Sequence, residues 1–291
     1  MAFGKPKVIS GSAGEFESTM VPLEWVQNIN NPIPITGSGT GNVTFTLNAS
    51  TTNPVCMFVG NDFFLLQETL AYTWVAGSNS VLNSSGAVAT QTGSTLGVWY
   101  FYVGIVSGTV TLYPSQTAPS FVQHTRQAGF LGHPGTSRTE YWRYVGVQIC
   151  TTAATPVFLE LTKHAKSKMY TMATVSFTGS CLGATQNYSP SIPLYLPKHG
   201  VKVTGKVTIG SEASSAIRLG TTSGTPSTTG PLDFFAKNLS SLASVGKKAF
   251  ANFNNITASA NGKIWSIPAV TTAITSTSTA IITISGFEDV V

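Results

Sequence analysis

Charge is what this sequence has least of. Only 9% of its 291 residues are Asp, Glu, Lys or Arg, where an average soluble domain carries roughly 25%. The 11 acids include no pair spaced to share a strand face away from the arm and the terminus, so the paired carboxylates of a glycoside hydrolase have no candidate. Cysteine is nearly as scarce. Cys56, Cys150 and Cys181 lie far apart with no CxxC spacing, which argues against a disulfide framework or a zinc site and for buried thiols. The four histidines, His124, His133, His164 and His199, show no HxH or HExxH spacing, and no metal is expected. A GxSxG nucleophile elbow and a GxxxxGK[ST] phosphate loop are both missing. No enzyme and no cofactor are expected from such material.

Long apolar runs are absent too. The best one, VWYFYVGIV from Val98 to Val106, stops after nine residues, whereas a membrane helix needs about 20. The opening stretch MAFGKPKVISGSAGEFE lacks an apolar segment and turns acidic at Glu15 and Glu17, so no secretory signal and no membrane are expected. The formal charge of +5 reflects few acids rather than many bases. Lys163, Lys166 and Lys168 with His164 form the one basic cluster, a solvated turn or helix face rather than a nucleic-acid site.

What the chain has instead is hydroxyl. It holds 40 Thr and 32 Ser alongside 28 Gly and 15 Pro, and 42% of residues are hydrophobic. That hydrophobicity excludes disorder of the whole. Short polar groups, many of them β-branched, suit strands with hydroxyl-bearing outer faces.

Residues 1–40 carry Pro6, Pro22, Pro32 and Pro34 among scattered glycines and do not alternate, which predicts an extended arm. Within it Phe16, Val21, Leu23 and Trp25 are candidate partner-binding residues, docking either on their own domain or on a neighbouring subunit. From residue 41 onward short β-type runs alternate with turn clusters: Val43 to Leu47, Tyr72 to Val75, Val98 to Val106, Tyr141 to Cys150 and Val157 to Leu161 in a first lobe (41–165). Val201 to Ile209 and Ile281 to Ile284 belong to a second (166–291). In the Tyr141 to Cys150 strand, alternation places Arg143, Val145, Val147 and Ile149 on one face. The fold class is therefore all-β: an N-terminal arm, then two β-sandwich or jelly-roll-like lobes. One short helix near 232–245 is allowed by Phe235, Leu239, Leu242 and Val245, with Ala249 to Ile256 equally able to form a strand. Aromatic rings can also serve as sugar platforms, and Trp74, Trp99 and Trp142 are the candidate glycan-contacting residues.

The order of several weak motifs resembles a β-rich module of bacteriophage virion proteins of the tail-fibre, head-fibre and minor structural type. These motifs are Val81-Leu-Asn-Ser-Ser-Gly86, Trp99-Tyr-Phe-Tyr-Val103, Tyr113-Pro-Ser-Gln-Thr-Ala-Pro119, Arg143-Tyr-Val-Gly146 and Thr283-Ile-Ser-Gly-Phe287. The likeness covers roughly residues 80–291. It implies a virion component made in the host cytoplasm, binding other virion proteins and forming a homo-oligomer such as a trimer, with no shared catalytic residues. A fibre, spike or decoration subunit is the leading expectation. A receptor-binding adhesin for host surface glycan and a polysaccharide depolymerase are the alternatives.

Overall fold

A computed structural model describes residues 35–51, 55–59, 62–93, 95–106, 109–122, 130–135, 142–163 and 169–180, with the strand segments 7–9, 202–210, 216–220, 234–237, 248–257, 265–268 and 279–288. All regular structure among them is β, in two compact units, Met1–Lys168 and Met169–Val291.

The first unit contains β1 (Lys7–Ile9), β2 (Ile35–Thr36), β3 (Gly39–Thr40), β4 (Val43–Leu47), β5 (Val55–Val59), β6 (Asp62–Leu66), β7 (Leu70–Trp74) and β8 (Asn79–Leu82). It continues with β9 (Val88–Gln91), β10 (Gly97–Val106), β11 (Thr109–Ser115), β12 (Ser120–Val122), β13 (Phe130–Gly132), β14 (Arg143–Cys150), β15 (Val157–Phe158) and β16 (Leu161–Lys163). A small sheet, β2-β4-β7, faces a large one running β12-β13-β14-β10-β11-β8-β9, while β1, β6 and β5 form a third.

The small sheet shows why these residues make strands. In β4, Val43, Phe45 and Leu47 point inward and the two threonines between them point outward; in β7, Tyr72 and Trp74 point in and Thr73 out. The register sets Phe45 opposite Tyr72 and Val43 opposite Trp74, so the inward side carries three aromatic rings among Ile35, Val43 and Leu47. Outward, Thr36 meets Thr46 at 2.7 Å and Thr44 meets Thr73 at 3.2 Å, hydroxyl to hydroxyl. The abundance of threonine thus becomes a solvent face without charge.

Between the sheets lies the core. Phe45 packs on Phe101 at 4.9 Å and on Phe158 at 4.8 Å, and Trp74 meets Trp99 at 4.7 Å, each pair joining small sheet to large. Two features close the sandwich at one end. Ile35–Thr36 pairs with β4, but after Gly37 the chain crosses so that Gly39–Thr40 pairs with β15 of the large sheet. A Cβ on Gly37 would sit 2.5 Å from the Phe45 ring and 2.8 Å from the Thr44 carbonyl, so only glycine allows this crossing. Second, the buried Gln148 amide donates to the Ile35 carbonyl at 3.1 Å, tying β14 to β2. Residues 35–40, placed in the arm by proline and glycine content, therefore belong to the sandwich, and Lys7–Ile9, placed there too, forms a parallel strand against β6.

Strand β14 departs from simple alternation. Its pairing with β10 shifts register between Phe101, opposite Gly146, and Tyr102, opposite Tyr144, leaving Val145 as the extra residue of a bulge. Period two slips there. Val145 and Cys150 enter the core facing the small sheet, whereas Val147 and Ile149 pair with Tyr100 and Val98 on the other side. Every residue of β14 is buried, as are the first eight of β10, so this central pair is covered on both faces.

The second unit holds β17 (Met169–Ser180), β18 (Lys202–Gly210), β19 (Ala216–Gly220), β20 (Phe234–Lys237), β21 (Lys248–Thr257), β22 (Trp265–Pro268) and β23 (Thr279–Glu288). Here β23 lies between β17 and β18, with β21 beyond β18, all antiparallel; β20, β19 and β22 form a separate sheet. Tyr170 stacks on Phe287 at 5.0 Å. The helix allowed near 232–245 is corrected where the chain is described. Phe234–Lys237 is a strand paired with β19, and Lys248–Thr257 a strand paired with β18; residues 238–247 lie outside the described residues. Two adjacent phenylalanines and an available ladder outweigh a four-position helical spacing that Gly246 ends.

Candidate functional site

The tryptophans expected as glycan platforms are core residues. Trp74 is 0% exposed, Trp99 1% and Trp142 3%, and a sugar can stack only on an exposed ring face. Trp74 and Trp99 occupy the inward faces of opposing sheets. Trp142, just before β14, lies against Gly104, where an added Cβ would come within 2.2 Å of the indole. Its Nε1–H donates to the Gly86 carbonyl at 2.9 Å. The arm candidates Phe16, Val21, Leu23 and Trp25 lie outside the described residues. Among described large apolar side chains Phe121, on β12, is the most exposed, at 65%.

The cluster that gathers the most chemistry was not signalled as a unit by the sequence. It forms where the Asn83 to Ala87 turn between β8 and β9 meets the end of β11 and the residues after β13. Asn83 organises the turn: its Oδ1 accepts the Ser85 N–H (2.9 Å), the Ser85 hydroxyl (2.7 Å) and the Ala87 N–H (3.1 Å). Gly86 follows with φ of 82°. Gly135 packs directly on this turn, since a Cβ there would meet the Ser85 backbone at 2.3 Å.

His133 joins the pieces. Its N–H donates to the Trp142 carbonyl at 3.0 Å, and its Nδ1 accepts the Gly135 N–H at 3.0 Å. In a neutral ring that leaves the proton on Nε2, 3.2 Å from the Ser115 hydroxyl. Ser115 Oγ–H donates to the Leu82 carbonyl at 2.8 Å, and the oxygen accepts the Thr117 N–H at 3.1 Å. The Tyr102 ring stands edge-on to the imidazole at 5.1 Å while its hydroxyl donates to the Thr117 carbonyl at 2.7 Å.

Proximity of Ser and His invites a hydrolytic reading, and the donor order opposes it. A general base must offer its Nε2 lone pair to the serine proton and hold a proton on Nδ1 facing a carboxylate. Here Nε2 is the donor, Nδ1 accepts from a backbone amide, and the serine proton is committed to Leu82. Ser115 is also fully buried.

Burial governs the electrostatics. It pushes His133 down to about 4, with a hydrogen bond to the Asn83 backbone acting second and in the opposite direction, so the ring is neutral at pH 7. Burial, and next the Tyr100 phenol, raise Tyr102 well above its ordinary range. Arg143 is pushed down to about 10 by burial and stays cationic at neutral pH. Among the described residues no three His, Cys, Asp or Glu side chains converge to hold a metal, and no helix is long and apolar enough to cross a membrane.

No protein-family model, no curated protein and no solved structure matches the chain.

Proposed function

We propose that the protein is a non-enzymatic structural component of a bacteriophage virion, a fibre, spike or decoration subunit anchored through its N-terminal arm. The observation that carries this reading is the all-β architecture with a charge-free hydroxyl face, which suits the resemblance to phage virion proteins read from the order of motifs between residues 80 and 291. In the first unit the polar side chains that converge are spent on holding loops together, as the Ser115–His133 order illustrates, which favours a scaffold over an enzyme. Burial of Trp74, Trp99 and Trp142 removes the side chains that best supported a glycan-binding reading.

The test follows the boundary found in the fold. Deleting residues 1–34 removes the three-residue edge strand β1 from its pairing with β6 and spares Ile35, which is buried and accepts the Gln148 amide. The truncated chain is expected to keep its cooperative thermal transition and to lose incorporation into particles, measured by quantifying the subunit in purified virions. Unchanged incorporation would overturn the anchoring role.

A further inference from the structure

The geometry points to an acid-released clasp in the first unit: protonation of His133 parts the Asn83 to Ala87 turn from the Gly132 to Gly135 loop while the rest of the sandwich stays folded. This goes beyond a structural role, because it gives the subunit two states.

Among the described residues, the His133 side chain bonds to both halves of the clasp. His133 binds its own loop through Nδ1 and Gly135, and the strand that leads back to the turn through Nε2 and Ser115, whose hydroxyl ends on Leu82 next to Asn83. Trp142 closes the other side by donating to Gly86. Neutral imidazole fits because one nitrogen accepts and the other donates. Imidazolium has two donors. A proton on Nδ1 would face the Gly135 N–H at a separation of 3.0 Å between the nitrogens, donor against donor. Among the described groups that meet or flank the ring, the Asn83 backbone alone favours the charged form, second to the burial that opposes it, and no carboxylate is present to pair with the new charge. Tyr102 on β10 is a neutral phenol, with Tyr144 of β14 behind it at 6.0 Å between rings; Ser115 and Thr117 are uncharged, as are Asn83, Ser85 and Gly86 of the turn. Arg143, paired with Gly132, is itself cationic.

The sign follows from linkage. His133 sits at about 4 in the closed clasp, while a solvated imidazole titrates near 6.5. The open form therefore binds the extra proton throughout that window, and closure is favoured above it. From pH 7 to pH 4 the opening constant should rise about a hundredfold.

Hydrogen exchange measured residue by residue on the full chain over this range tests the clasp, after division by the intrinsic chemical rate at each pH. Opening at the Gly135 amide and the Trp142 indole is expected to rise about a hundredfold while amides of β10, such as Phe101, keep their protection. In His133→Asn, whose Oδ1 can still accept the Gly135 N–H but does not titrate, the rise should vanish. A second readout needs no variant: the His133 Cε1 resonance should titrate with the same midpoint as the Gly135 amide shift. The proposal is overturned by an unchanged opening constant, by an equal rise in His133→Asn, by a parallel loss of protection at Phe101, or by non-coincident midpoints.

Discussion

Gly104 offers the sharpest test of how the covered face of β10 is packed. A methyl group there would lie 2.2 Å from Trp142 Cε3, 2.4 Å from Cζ3 and 2.7 Å from Cδ2, against the ~3.5 Å or more of ordinary carbon contact. These are fused-ring atoms rather than the tip of a flexible chain, so the whole indole must move by about 1.3 Å. It has little room, being 3% exposed, edge-on to Tyr113 at 5.7 Å and hydrogen-bonded to Gly86. Overpacking costs about 1 to 3 kcal/mol, and losing the buried indole bond about 1 to 3 more. The stiffer unfolded chain of the alanine variant offsets roughly 0.4 to 1 kcal/mol. Gly104→Ala should therefore destabilise by about 3 kcal/mol, read as a lower urea midpoint at unchanged slope. A cycle with Trp142→Leu isolates the cause: once the ring is gone the alanine should cost less than about 0.5 kcal/mol. Full cost in the Trp142→Leu background, or none in the wild-type one, would refute this packing argument.

Two further outcomes are expected. Phe45→Ala removes the ring that joins both sheets through Phe101 and Phe158, and should cost about 3 to 5 kcal/mol by urea denaturation; a cost below 1 kcal/mol would mean the two sheets do not share that core. His133, lowered by burial to about 4, contributes stability that is full above about pH 6.5 and is lost as pH falls through 4, up to about 3 kcal/mol. Denaturation of wild type and His133→Asn at pH 7 and pH 4 should show that difference narrowing with acid, and a constant difference would count against the burial of a neutral ring.

How much of this was legible beforehand depended on whether the deciding fact was local. Val43 to Leu47 could be read because alternation within one strand already states which side is buried, and the two threonines then fell on the outer face. The β14 faces could not. Alternation runs uninterrupted through the Tyr141 to Cys150 sequence, and the bulge at Val145 exists only because β10 lies opposite it. The crossing at Gly37 was hidden likewise: glycine and proline content around residues 32–41 resembles an arm, and only the nearness of Phe45 shows that the glycine is needed for a sheet-to-sheet passage. The tryptophans were ambiguous for a related reason. Parity tells that half the aromatics of a strand face each way, but in β10 both ways lead to buried environments. His133 stood in the sequence as one of four scattered histidines, and its partners, Ser115, Gly135 and the Asn83 turn, approach through three separate connections.

The scarcity of charge and the burial of both faces of β10 and β14 are two sides of one constraint. A strand covered on both faces has no position from which a Lys or Glu can reach water, and an unpaired buried ion costs several kcal/mol. Such strands must be uncharged, and the single cation among their residues, Arg143, stands at the first position of β14 with its titration already depressed by desolvation. Where β4 and β7 do face solvent, charge is sterically allowed and still not used. Thr36, Thr46, Thr44 and Thr73 pair across strands instead, each such pair contributing roughly 0.2 to 1 kcal/mol while β-branching favours the extended backbone. A hydroxyl face of this kind does not depend on pH or salt, unlike one built from ion pairs, which are screened within about 10 Å at 0.1 M salt. Among the described residues of the first unit whose titration burial has shifted, His133 is the one whose shift falls in the acid range.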